Sequence, residues 1–134
     1  MKKVILYIHG KGGSYLEAEQ YRRNCTGFDM IGVDYNDYLP WIVQNQIQTV
    51  YDEAHKRYDK IYLIANSIGA YFAMHTLQAC DIEKALFISP VLDMERLILD
   101  MMNWANCIRK RFVRERRNSY RLWGNIVMEI FMFC

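Results

Sequence analysis

This chain of 134 residues predicts an α/β fold, a three-layer α/β/α arrangement around a parallel sheet. Three observations carry the prediction. Short apolar runs alternate with stretches of helical periodicity, the pattern of strands joined by crossover helices. The first run, Val4 to Ile8, is unbroken, as a strand covered on both faces requires. The stretch Lys60 to Ala73 reads as strand, very tight turn and helix around a single serine, Ser67.

Taken in order, the first strand ends in His9-Gly10 and opens into the flexible loop His9-Gly-Lys-Gly-Gly-Ser14. Tyr15 to Asn24 is expected to be helical, and Met30 to Asp34 a second short strand with Asp34 at its end. From Trp41 to Tyr58 the positions Val43, Ile47, Val50 and Ala54 repeat at helical spacing, Tyr51 and Tyr58 widen the stripe, and Pro40 stands where a helix starts. A third strand is expected at Ile61 to Ala65, a helix at Ile68 to Ala79, and a fourth strand at Ala85 to Ser89, stopped by Pro90. Met94 to Trp104 is a further helix candidate.

Composition bounds the class. With 52% hydrophobic residues the chain can bury a core as one globular domain. The basic pair Lys2-Lys3 precedes an apolar run too short for a signal-peptide core, so a cytoplasmic protein is expected. Cys25, Cys80, Cys107 and Cys134 show no paired spacing, which predicts reduced thiols, no metal site and no disulfide framework. The net charge of +2 is uneven: residues 1–108 hold 10 Lys and Arg against 13 Asp and Glu, and residues 109–134 hold 7 against 2.

Ser67 is the candidate nucleophile. A strand-to-helix turn this tight forces its central residue into a strained backbone, so the residues two positions either side must be small; they are Ala65 and Gly69. A serine hydroxyl also needs a base, and that base needs an orienting group. No histidine fits. His75, eight residues on in the same expected helix, reads as an ordinary helix-face residue, and His9 and His55 lie upstream at a strand end and late in a helix.

Over residues 1–106 these features resemble the α/β-hydrolase superfamily, in particular its small serine-esterase-like members. The resemblance rests on the strand ending in His9-Gly10, the strand carrying Asp34, and the elbow Ala65-Asn-Ser-Ile-Gly69, in which Ala65 replaces the first Gly of G-x-S-x-G. It implies a serine hydrolase of carboxylic esters or related acyl compounds, with a small-molecule acyl substrate and no cofactor. It also implies an oxyanion hole made by the backbone N–H groups of Ile68 and Lys11. Members of the family carry the triad acid after a later strand and the histidine near the C-terminus. Asp93 stands where some of them keep the acid, though it also suits the cap of the following helix. No catalytic histidine is expected in this chain.

Residues 107–134, basic and then apolar, look unlike that family. The abrupt change of charge and the absence of a strand–helix pattern suggest an out-of-frame product replacing the second half of a truncated α/β-hydrolase fold, and hence an inactive chain. Such a chain leaves the Ala85 to Ser89 strand as an aggregation-prone edge unless the tail or a partner covers it. The tail also admits a phosphate-binding arm, with Phe112, Tyr120 and Trp123 stacking on bases, but basic runs are commonly just solvated, and no nucleic-acid partner is expected. Ile126 to Phe133 is too short and, with Glu129, too polar for a transmembrane segment. Two other functions compete with hydrolysis. Gly10-Lys-Gly12 after a strand, with Asp34 ending the next, weakly matches a nucleotide-binding Rossmann-like domain. A non-catalytic hydrolase-like interaction module is the third reading.

Overall fold

Six residues, Lys3–Ile8, form β1, and all but the first are buried. The computed structural model describes residues 1–92, Arg96 and the backbone of 128–131. After β1 come a 3-10 turn at Tyr15–Glu17, α1 at Ala18–Arg22, β2 at Asp29–Gly32, α2 at Pro40–His55, β3 at Lys60–Asn66, α3 at Ile68–Thr76 and β4 at Lys84–Ile88. β5, Met128–Phe131, completes the described strands. Among the described residues the sheet runs β2-β1-β3-β4-β5, every pairing parallel.

Alternation along β1 divides the core between the two faces of the sheet. Val4, Leu6 and Ile8 point into the larger cluster, with Val43, Ile47 and Ala54 of α2 and Ala70, Phe72 and Ala73 of α3. Ile5 and Tyr7 point the other way, against Ala18 of α1 and Met30 of β2. Helices therefore cover both faces, which is the three-layer arrangement expected. α2 begins at Pro40, where the missing N–H costs nothing and the fixed φ suits a first turn.

Several boundaries differ from expectation. The helix expected from Tyr15 to Asn24 starts as a 3-10 turn and stops at Arg22, before the turn at Gly27, φ +87°. β2 stops at Gly32, leaving Asp34 exposed beyond the strand. α3 ends at Thr76 rather than Ala79, because the chain must reverse toward β4 by a turn in which Cys80 N–H donates to the Leu77 carbonyl at 3.0 Å. β4 ends at Ile88, since Ser89 has φ +44° and leaves the extended conformation. Of the two covers open to the β4 edge, the tail supplies one: Ala85, Leu86, Phe87 and Ile88 align with Met128, Glu129, Ile130 and Phe131. An open parallel edge is a row of unmatched donors and acceptors, and a strand taken from the tail satisfies them.

Candidate active site

The sheet changes winding direction between β1 and β3. From β1 the chain moves outward to β2, then crosses back to lay β3 on the other side of β1. Loops leaving the C-terminal ends of those two strands diverge and open a crevice, the place where doubly wound sheets bind ligands. Ser67, Gly10 and Lys11 all lie there.

Ser67 joins β3 to α3 with φ +54° and ψ −122°, a combination that side-chain-bearing residues avoid, and its hydroxyl makes no capping bond to the helix. Its backbone is tied on both sides: the N–H donates to the Ile88 carbonyl at 2.9 Å, and the carbonyl accepts from Ala70 N–H at 3.1 Å and Val91 N–H at 3.2 Å. Gly69 shows why the turn needs small neighbours. A Cβ there would lie 2.3 Å from the carbonyl oxygen of His9 and 2.7 Å from that of Ile8. The helix thus seats directly on the end of β1. Ala65 is fully buried between Ile8 and Phe87 of the flanking strands.

The loop after β1 meets the elbow. A Cβ on Gly10 would fall 3.1 Å from Ser67 Cβ. Gly13 N–H donates to the Gly10 carbonyl at 3.1 Å, closing a four-residue turn with Gly12 at φ +75°. Because the Gly10–Lys11 peptide is trans, anchoring its carbonyl aims the Lys11 N–H to the opposite side. Ile68 opens α3, where the first amides of a helix lack intrahelical acceptors and favour negative charge.

The histidines do not supply a base at Ser67. His9 is buried, with Nδ1 2.7 Å from the Gly10 carbonyl, Nε2 3.0 Å from the Tyr35 carbonyl, and its ring stacked on Tyr35. A neutral ring donates to one of those oxygens at a time, and neither nitrogen is directed at the serine. His75 sits eight residues along α3, about 12 Å down the helix axis, with its ring 4.2 Å from that of Tyr71. His55 closes α2 beside Tyr51. Asp93 and, Arg96 apart, the helix candidate Met94 to Trp104 lie outside the described residues.

Two further residues belong to the site and were not singled out from the sequence. Glu17 Oε2 accepts from the Tyr7 hydroxyl at 2.6 Å while Oε1 accepts from Ser14 N–H at 3.3 Å. Burial, and then the bond to Glu17, push the Tyr7 phenol well above its ordinary value, so it stays a donor. Tyr38 accepts the Gly12 N–H at 3.0 Å. The spacing Ser14-x-x-Glu17 is a capping-box signal and marks Glu17 in the sequence. Tyr38 carries no such mark. Among the described residues no cluster of His, Cys, Asp or Glu could hold a metal ion, and Cys25 and Cys80 are free thiols.

The strand order alone is shared by several doubly wound folds; the left-handed serine between β3 and α3 separates them. Solved structures share the fold. One of the two metagenome-derived lipolytic enzymes LipS and LipT superposes with a TM-score of 0.56 at 16% identity, over 79% of this chain and 49% of its own. The haloalkane dehalogenase DatA from Agrobacterium tumefaciens C58 gives 0.50 at 17% identity, over 67% of this chain and 34% of its own.

The chain has an α/β-hydrolase fold. It spans about half the length of the lipolytic enzyme and a third of the dehalogenase. No family model and no curated protein matches it. The loop after β1 does not serve the Rossmann-like reading. It leads to a 3-10 turn and the five-residue α1, where a dinucleotide site needs a long helix with its N-terminus on the pyrophosphate. Among the described residues no helix is long and apolar enough to cross a membrane.

Proposed function

We propose that this chain carries the nucleophile half of a serine hydrolase acting on carboxylic esters or related small-molecule acyl compounds, without a cofactor and in the cytoplasm. Ser67 Oγ is the nucleophile, and the N–H groups of Lys11 and Ile68 receive the charge that develops on the carbonyl oxygen. The observation that carries this reading is Ser67 at φ +54°, with Gly10 of the neighbouring loop against its Cβ. Acyl transfer suits a serine better than dehalogenation does. A serine oxygen that displaces a halide leaves an ether, which water does not cleave, whereas an acyl-serine is an ester and hydrolyses.

Proton transfer is the missing function. When Ser67 Oγ bonds to the carbonyl carbon its proton must leave, and His9, His55 and His75 are placed elsewhere. We assign the acid to Asp93, and none of His9, His55 and His75 to the base. Loss of the base costs on the order of 10⁶ in kcat, so the chain alone is expected to be inactive.

Replacing the nucleophile tests the site without the base. A Ser67→Cys chain reacts as a thiolate: with p-nitrophenyl acetate the sulfur bonds to the carbonyl carbon and p-nitrophenolate leaves, and with iodoacetamide the sulfur bonds to carbon and iodide leaves. Only the first reaction builds an oxyanion. The ratio of acylation to alkylation at the introduced thiol, read by peptide mass spectrometry, is expected to exceed that of glutathione about 100-fold, the scale of an oxyanion donor. A ratio equal to glutathione's would contradict the oxyanion site, and rapid fluorophosphonate labelling of the unaltered Ser67 would contradict the expected inactivity.

A further inference from the structure

We propose that Tyr38 is a positioning residue for the oxyanion-binding loop: by accepting the Gly12 amide, its phenolic oxygen holds the Gly10–Gly13 turn in the conformer that aims the Lys11 amide at the carbonyl attacked by Ser67. The proposal rests on the hydrolase reading above and adds to it a residue outside the elbow and outside the β1 loop.

The turn alone does not fix its own geometry. Gly13 N–H to the Gly10 carbonyl, 3.1 Å, closes the ring of the turn, but the peptide between Lys11 and Gly12 can rotate within it. With Gly12 at φ +75° the turn is of the type that puts a left-handed residue third, and a flip of the central peptide converts it to the commoner type with negative φ. That flip changes ψ of Lys11 and φ of Gly12 together, and it loosens the adjoining Gly10–Lys11 peptide whose N–H is to face the oxyanion. A glycine offers little steric resistance to it. The bond from Gly12 N–H to Tyr38 Oη, 3.0 Å, is available in the observed conformer and lost on flipping.

Tyr38 is placed to act as a fixed post. It lies in the β2–α2 connection, so it approaches the loop from the side opposite β3 and Ser67. Its ring meets Tyr35 edge-on at 6.0 Å, and Tyr35 stacks on His9 at 4.1 Å and donates its hydroxyl to the His9 carbonyl. Asp37 Oδ1 accepts Leu39 N–H at 2.8 Å, bracketing Tyr38 from its own segment. The far end of the loop is held separately, by Glu17 on Ser14 N–H with Tyr7 behind it. Removing the Tyr38 hydroxyl therefore frees the middle of the loop while both ends stay anchored.

The experiment uses the full chain carrying Ser67→Cys, with and without Tyr38→Phe. Acylation by p-nitrophenyl acetate is expected to fall about tenfold in the double variant, a fraction of the 10² to 10³ that a whole donor contributes, while alkylation by iodoacetamide is unchanged. Loss of general structure would slow or speed both reactions alike; an unchanged ratio overturns the proposal. The outcomes separate from the parent reading, because a Ser67→Cys chain with no acylation advantage refutes the oxyanion site itself before Tyr38 is altered. A second measurement needs no variant at Tyr38: in the ¹⁵N-labelled chain the Gly12 amide should exchange with solvent at least about tenfold more slowly than the Lys11 amide, as a bonded amide beside an open one does. Equal exchange at the two amides overturns the proposal as well.

Discussion

Ser67 and Ser89 end neighbouring strands with the same unusual backbone sign, φ +54° and φ +44°, and two hydrogen bonds tie the segments together. Ser67 N–H donates to the Ile88 carbonyl at 2.9 Å and the Ser67 carbonyl accepts from Val91 N–H at 3.2 Å. Strain of this kind survives only where the surroundings over-determine it, and here each strained turn is part of the other's surroundings.

Relief of that strain should be measurable. Ser67→Gly is expected to raise stability by about 1 kcal/mol, the strain released less the added entropy of an unfolded glycine. Ser89→Gly is expected to move the same way by a smaller amount, its turn lying exposed. Urea midpoints at unchanged m-value would report both. A lower midpoint for Ser67→Gly would show that the hydroxyl contributes more than its backbone costs.

The opposite substitution is costly at the other end of the turn. In Gly69→Ala the new methyl group would sit 2.3 Å from the His9 carbonyl oxygen, and backbone in a buried central strand cannot swing aside as a flexible side chain can. Overpacking of this kind costs about 3 kcal/mol. Thermal unfolding should drop by roughly 10 °C for a domain of this size, and a drop under about 3 °C would mean that α3 shifts off β1 without penalty.

The elbow and the positions of the first four strands are legible in the sequence for a shared reason: both rest on local constraints. Small residues at 65 and 69 answer a turn two residues away, the Val4 to Ile8 run answers burial on both faces, and Pro40 answers an unpaired first turn. The contacts of Tyr7 with Glu17 and of Tyr38 with Gly12 answer to which strands lie side by side, so they depend on a topology known only once the strands are assembled. The early end of α3 is of the same kind. Residues 68–79 keep an apolar character that would extend the helix, and the need to reach β4 by Lys84 cuts it short at Thr76. β5 is not legible because its partner edge, rather than its own pattern, gives Met128–Phe131 a reason to be extended.

Two buried phenols make the fold sensitive to alkali. Burial is the main cause that raises the Tyr7 and Tyr35 hydroxyls well above the ordinary 10.0, with the Glu17 carboxylate adding to both. A group whose folded pKa lies above its unfolded one contributes stability that is complete below the unfolded value and is lost as pH climbs from there toward the folded one. Stability should therefore be flat up to about pH 9 and fall steadily above 10. In spectrophotometric titration these two phenols should ionise only as the chain unfolds. Tyr35→Phe should make the alkaline decline shallower, while at neutral pH it removes the donor to the His9 carbonyl and costs about 1 kcal/mol. A decline as steep in that variant and in Tyr7→Phe as in the unaltered chain would place the alkaline sensitivity in other groups.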